Sequence, residues 1–70
     1  MNATDGQAEL RRVAEAIRAA CVQAALEGYE QAGMDGLCHE GEWEAAIDAM
    51  RSLKLERIWQ QAYRPNGANK

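Results

Sequence analysis

"GMDGLCHEGEW", residues 33–43, decides how this chain folds. It holds three of the six glycines, one of the two cysteines, the only histidine and three acids, and it ends on Trp43. Two readings compete: a metal or catalytic site, or the turn between two helices. Gly33 suits a helix stop, because glycine enters the left-handed cap conformation without a Cβ clash. Glu40, Glu42 and Glu44 crowd the start of the next helical pattern, where the helix dipole favours anions. Gly41 falls just inside or before that start, and Leu37 with Cys38 fits one separate helical turn. The turn reading explains the glycines and the acids together and leaves the pair Cys38-His39 over.

On the N-terminal side, Leu10, Val13, Ile17, Ala20, Cys21 and Ala24 recur every three or four residues, one apolar stripe of an α-helix. Thr4 or Asp5 can cap its first turn, and Thr4 with Gln7 fits a capping box. Arg11 and Glu15 stand off the stripe, four residues apart and placed to pair. Gly28 sits inside this helix at a cost of roughly 1 kcal/mol relative to alanine. Ala20, Ala24 and Ala25 leave room for another helix to come close, from a second copy as readily as from the same chain.

On the C-terminal side, Trp43, Ala46, Ile47, Met50 and Leu53 form a second stripe. Leu55, Ile58, Trp59, Ala62 and Tyr63 form a third, which points roughly 130° away if the helix is continuous. A break between Ser52 and Lys54, with Ser52 as the next N-cap, removes the conflict. The alternative is one long helix buried on two faces, which requires a partner. The expected fold is therefore all-α. It is a small helical hairpin or bundle of two to four helices, with a long first helix, a Gly-rich turn and shorter helices. The expected bounds are about 5–32, a turn over 33–41, about 41–52, about 53–63, and a tail over 64–70 that Pro65 and Gly67 keep out of the last helix.

Seventy residues make one domain at most. A chain this short buries only about 60% of its unfolded surface, so its core is marginal and a partner subunit is a common remedy. Two cysteines are too few for a secreted disulfide framework. The polar start "MNATDGQAELRR" does not read as a signal peptide, and no apolar run reaches bilayer length. A cytoplasmic protein is expected. The net charge of −3 is unevenly placed: residues 27–50 carry seven acids and no Lys or Arg, while residues 51–70 carry five bases and one acid. The acidic middle and basic end can attract each other within a subunit or between subunits. Neither resembles the basic footprint of a nucleic-acid binder.

Four groups of residues bear on chemistry. Cys38 and His39 are candidate metal ligands or a thiolate–imidazole pair, with Asp35, Glu40 and Glu42 as further ligands. Adjacent helical residues diverge by about 100°, and a thiolate with carboxylates is an uncommon ligand set. The other reading is a half-buried cysteine beside a polar histidine. Cys21 and Cys38 are either a disulfide or two buried thiols, and a reducing compartment favours thiols. The acid run lacks the alternate oxygen ligands of a calcium loop and reads as a solvated face. Trp43, Trp59, Tyr29 and Tyr63 serve either core or interface. In a chain without Phe, Trp43 and Trp59 are expected mostly inside, so that Trp43→Ala unfolds it. The residues expected at an interface are Trp43, Trp59, Tyr63, Ile17 and Ala24.

Residues 40–55, "EGEWEAAIDAMRSLKL", resemble the second half of a tetratricopeptide repeat through Gly41, Trp43 and Ala46. Gly33 and Gly36 depart from that pattern, so the resemblance implies a helix–turn–helix with an aromatic wedge rather than a superhelical array. Residues 20–53 are similar to a group of small bacterial proteins through Tyr29, Glu30, Ala32, Gly33, Gly36, Leu37, Cys38, Glu40, Gly41, Trp43 and Glu44. Members of that group are often labelled acetyltransferases. The usual acetyltransferase fold needs a mixed sheet and a pyrophosphate-binding loop, so the resemblance implies a small helical protein, and it carries no catalytic residues onto this chain.

The sequence thus points to a non-enzymatic protein–protein interaction module that needs no cofactor. It would be an adaptor, accessory subunit or inhibitor of a larger partner, self-associating as a dimer, with no nucleic acid or membrane among its partners. The alternative is a small metal- or redox-responsive protein using Cys38, His39 and possibly Cys21.

Overall fold

The computed structural model describes residues 3–63, with side chains from residue 6 onward. The capping roles of Thr4 and Asp5 and the tail over 64–70 lie outside the described residues. The fold is all-α with a long first helix: α1 is Ala3–Met34, α2 is His39–Arg51 and α3 is Leu55–Ala62. None of these helices is long and apolar enough to cross a membrane.

The stop of α1 is two residues later than expected, and a different glycine makes it. Gly36 has φ +88°, and it is the glycine with positive φ among the described residues. Its N–H donates to the carbonyl of Gly33 at 3.0 Å, and the N–H of Leu37 donates to that of Ala32 at 3.0 Å. These are the paired bonds of a Schellman motif, which satisfies the orphan carbonyls at the helix end. Gly33 is still helical. Leu37 and Cys38 form no separate helical turn but an extended connection. Cys38, at ψ 173°, is the N-cap of α2 and makes no side-chain capping bond. The first turn of α2 instead carries Glu40 and Glu42, the acids that the dipole favours. Gly36→Ala is expected to destabilise the chain by about 1–2 kcal/mol, the cost of a left-handed residue with a Cβ. A thermal melt of the variant equal to wild type would contradict this role.

The chain divides into two compact units. Ala19–Leu53 is one, and the other comprises the described residues up to Arg18 and those from Lys54 onward. In the first unit, the second half of α1 packs against α2 through small residues. A Cβ added to Gly28 would lie 2.9 Å from the carbonyl oxygen of Ala45 and 3.0 Å from the Cβ of Ala49. Gly28 is therefore the point of closest approach between the two helices, which explains a glycine in mid-helix. At Gly28 that close approach is made by a helix of the same chain. Ala32 and Ala46, 4% and 3% exposed, are the buried apolar residues of the described chain. Leu37 lies against Gly41, whose added Cβ would meet its Cδ2 at 3.0 Å.

In the second unit, Val13, Ala16 and Ile17 of α1 and Ile58 and Ala62 of α3 are half-buried. Leu10, expected in the same stripe, is 71% exposed. Glu15 bonds Arg18 at 2.6 Å rather than Arg11, and Glu9 pairs with Arg12. Both pairs are three residues apart, a spacing that shares a helix face as well as four does. The Arg18 hydrogen bond and charge hold the Glu15 carboxyl below its ordinary value. The chain breaks over 52–54, but Ser52 is the C-cap of α2, its N–H donating to the carbonyl of Asp48 and that of Leu53 to the carbonyl of Met50. Lys54 is the N-cap of α3, without a side-chain capping bond. Arg51, in the last turn of α2, complements the helix dipole there.

Candidate functional site

His39, Glu42 and Trp43 stand at i, i+3 and i+4 at the start of α2 and so share one face. Tyr29, one turn before Gly33 on α1, meets that face. The Tyr29 hydroxyl and His39 Nδ1 form a 3.0 Å hydrogen bond, its donor set by which imidazole nitrogen carries the proton. His39 Nδ1 also lies 3.8 Å from a Glu42 oxygen. The three rings meet edge to face, with centroids 6.1 Å apart for Tyr29–His39 and Tyr29–Trp43 and 6.4 Å for His39–Trp43. That geometry places ring edges on the electron-rich faces of their neighbours. The Glu42 carboxylate lies over Gly33: a Cβ there would stand 2.5 Å from Glu42 Oε2, the end of a flexible side chain. The glycine expected to end the helix instead sits beneath a carboxylate.

Desolvation, and then the hydrogen bond and negative charge of Glu42, hold the Tyr29 phenol above its ordinary value. A raised folded-state value stabilises the fold below the unfolded phenol value of about 10, and this contribution is lost as pH rises through the folded value. In a Tyr63→Phe background, the absorbance titration of Tyr29 is expected above the ordinary range and moves down when Glu42→Gln is added. Melting temperature should fall more steeply with alkaline pH in wild type than in Tyr29→Phe. Superimposable titrations with and without Glu42→Gln would contradict the coupling.

Cys38 and His39 are adjacent but not allied. Cys38 is an exposed free thiol rather than a half-buried one, and Cys21 is free and half-buried. Among the described residues, no group of three His, Cys, Asp or Glu side chains is placed to hold a metal ion. The partners of His39 are Tyr29, Glu42 and Trp43.

The indoles expected inside are largely outside: Trp43 is 54% exposed, and Trp59 is exposed too. For Trp43 the reason is local. Alanines and Gly28 line the α1–α2 contact, and helices that close leave no slot wide enough for an indole between them. Trp43 packs instead on the rings at the edge of that contact.

Beside it runs an apolar flank. Val22, Leu26 and Tyr29 on α1, and Trp43, Ile47 and Met50 on α2, each follow the spacing i, i+4, i+7. The Tyr29–Trp43 contact sets the two rows side by side. Val22, Leu26, Trp43 and Ile47 are all exposed. Of the residues expected at an interface, Trp43 lies on this flank and Ala24 is half-buried in the same unit. Ile17, Trp59 and Tyr63 belong to the other unit, with Ile17 half-buried and the two aromatics exposed. The expected set is thus split between units. Val22 and Leu26 are outside the expected set, although their spacing with Tyr29 repeats that of Trp43, Ile47 and Met50.

No protein-family model, curated protein or solved structure matches the chain.

Proposed function

We propose that this chain is a small non-enzymatic protein–protein interaction module, an adaptor, accessory subunit or inhibitor of a larger partner, that also self-associates as a dimer. One observation carries the reading: most of the large apolar side chains of the described residues lie outside. Leu26, Trp43, Ile47, Leu55, Trp59 and Tyr63 are all exposed, and the buried positions are alanines. Clustered exposed apolar residues of this size mark interaction surfaces, and exposed tryptophan and tyrosine are the commonest anchors of such surfaces. The proposal includes kinship with the small helical bacterial group, on the pattern from Tyr29 to Glu44, and a cytoplasmic site of action.

Sedimentation velocity over a concentration series, together with affinity capture using the whole chain as bait, tests it. The expected result is a mass that rises with concentration and a specific retained partner. A monomer at every concentration that retains nothing would sink the reading.

A further inference from the structure

We infer that Glu42 and Tyr29 hold His39 as its Nδ1–H tautomer, so that the Nε2 lone pair is presented to solvent as an open acceptor for an N–H or O–H donor. This tautomer is a property of the free chain; only its use by a partner rests on the interaction reading.

The three polar groups share few protons. A neutral imidazole has one N–H, a phenol has one O–H, and an ionised carboxylate only accepts. The 3.0 Å bond between the Tyr29 hydroxyl and His39 Nδ1 can therefore be made in two ways. In one, the hydroxyl donates to a bare Nδ1. In the other, Nδ1–H donates to the hydroxyl oxygen, and the O–H is left for another acceptor.

Glu42 decides between them. Its Oε1 lies 3.8 Å from Nδ1. A carboxylate at that distance repels a lone pair and attracts an N–H. The Glu42 side chain is only 20% exposed, and residues 27–50 hold no Lys or Arg to neutralise it. A carboxylate so covered takes the donors within its reach. The Tyr29 hydroxyl is such a donor, and its hydrogen bond to Glu42 is among the causes that raise the phenol above its ordinary value. Once the single O–H points to Glu42, the contact with Nδ1 is a hydrogen bond only if Nδ1 carries the proton. The donors then run one way, from His39 to Tyr29 to Glu42. Helix spacing supplies the geometry: His39 and Glu42, three residues apart, share a face of α2, and Tyr29 reaches them from α1.

Fixing the proton on one imidazole nitrogen fixes the role of the other. With Nδ1 protonated, Nε2 keeps its lone pair. The His39 side chain is 69% exposed, and Nδ1 is the nitrogen turned toward Tyr29 and Glu42. Nε2 is thus the nitrogen left for solvent or for a partner's donor, beside the exposed Trp43 indole. Glu42 and Tyr29 are positioning residues that act on such a donor through His39.

His39 is the only histidine of the chain, so two-bond proton–nitrogen correlation spectra of the isotope-labelled full chain report on it directly. On the neutral plateau of the imidazole titration, wild type is expected to show a pyrrole-like Nδ1 and a pyridine-like Nε2. Free histidine prefers the opposite form, with the proton on Nε2. Glu42→Gln removes the charge and should lose the Nδ1–H majority, and Tyr29→Phe removes the hydroxyl and should reduce it, with helicity by circular dichroism unchanged. Diethyl pyrocarbonate, which attaches to an accessible imidazole lone pair, should modify Nε2. A wild-type imidazole mainly in the Nε2–H form overturns the inference and needs no variant to do so. A tautomer population unchanged in folded Glu42→Gln also overturns it, as does an adduct on Nδ1.

Discussion

Gly28→Val should lower the melting temperature by roughly 8–16 °C. The range follows from an overpacking cost of about 2 kcal/mol and a shift of roughly 4–8 °C per kcal/mol for a domain of this size. At an exposed mid-helix position the reverse is expected, since replacing glycine with a helix former gains up to about 1 kcal/mol. The sign is decided by what the new atoms meet. The first carbon beyond Cα would stand 2.9 Å from the Ala45 carbonyl oxygen and 3.0 Å from the Ala49 Cβ. Neither is the end of a flexible side chain, so relief requires α1 and α2 to part, which loosens the contact that buries Ala32 and Ala46. Gly28→Ala carries the same clash with a smaller side chain and a larger propensity gain, so its loss should be smaller than that of valine. Thermal melts of the two variants decide the matter: a Gly28→Ala chain more stable than wild type would show that the helices do not close on this residue.

The elements were legible because hydrophobic spacing reports a helix directly. The periodicity read an all-α chain with a long first helix, a glycine-rich turn and shorter helices after it, as the structure has it. The ends were less legible. Gly33 and Gly36 are equivalent as residue types, and only the bonds from Gly36 to Gly33 and from Leu37 to Ala32 tell which of them takes positive φ. Ser52 has the chemistry of an N-cap, yet its N–H closes the preceding helix. At the candidate site, His39 was legible as an unexplained side chain, but its partner Tyr29 is ten residues away, and no helical spacing links residues across a turn. The exposure of Trp43 was hidden for another reason. Side-chain size suggests what belongs in a core, but here the distance between the two helices was set by Gly28 and the alanines, and that distance excluded the indole.

The same inversion gives the other large expected effect: Ala46→Asp should destabilise the chain more than Trp43→Ala, although it removes no atoms from the core. Ala46 is 3% exposed in the α1–α2 contact. A carboxylate there has no cationic partner on either helix nearby, since residues 27–50 hold no Lys or Arg. An ion without a partner in such a place costs several kcal/mol even after relaxation. Protonation would relieve part of that cost and leave a polar group to be satisfied against apolar neighbours. Total stability in a chain of this size is itself only a few kcal/mol, so Ala46→Asp is expected to leave little folded hairpin at room temperature. Complete removal of a buried tryptophan side chain costs about 3–5 kcal/mol. At 54% exposure Trp43 loses about half of that, near 2 kcal/mol, and Trp43→Ala should remain folded with a lowered melting temperature. Urea denaturation of the two variants side by side measures the order, and a folded Ala46→Asp beside an unfolded Trp43→Ala would return the tryptophan to the core.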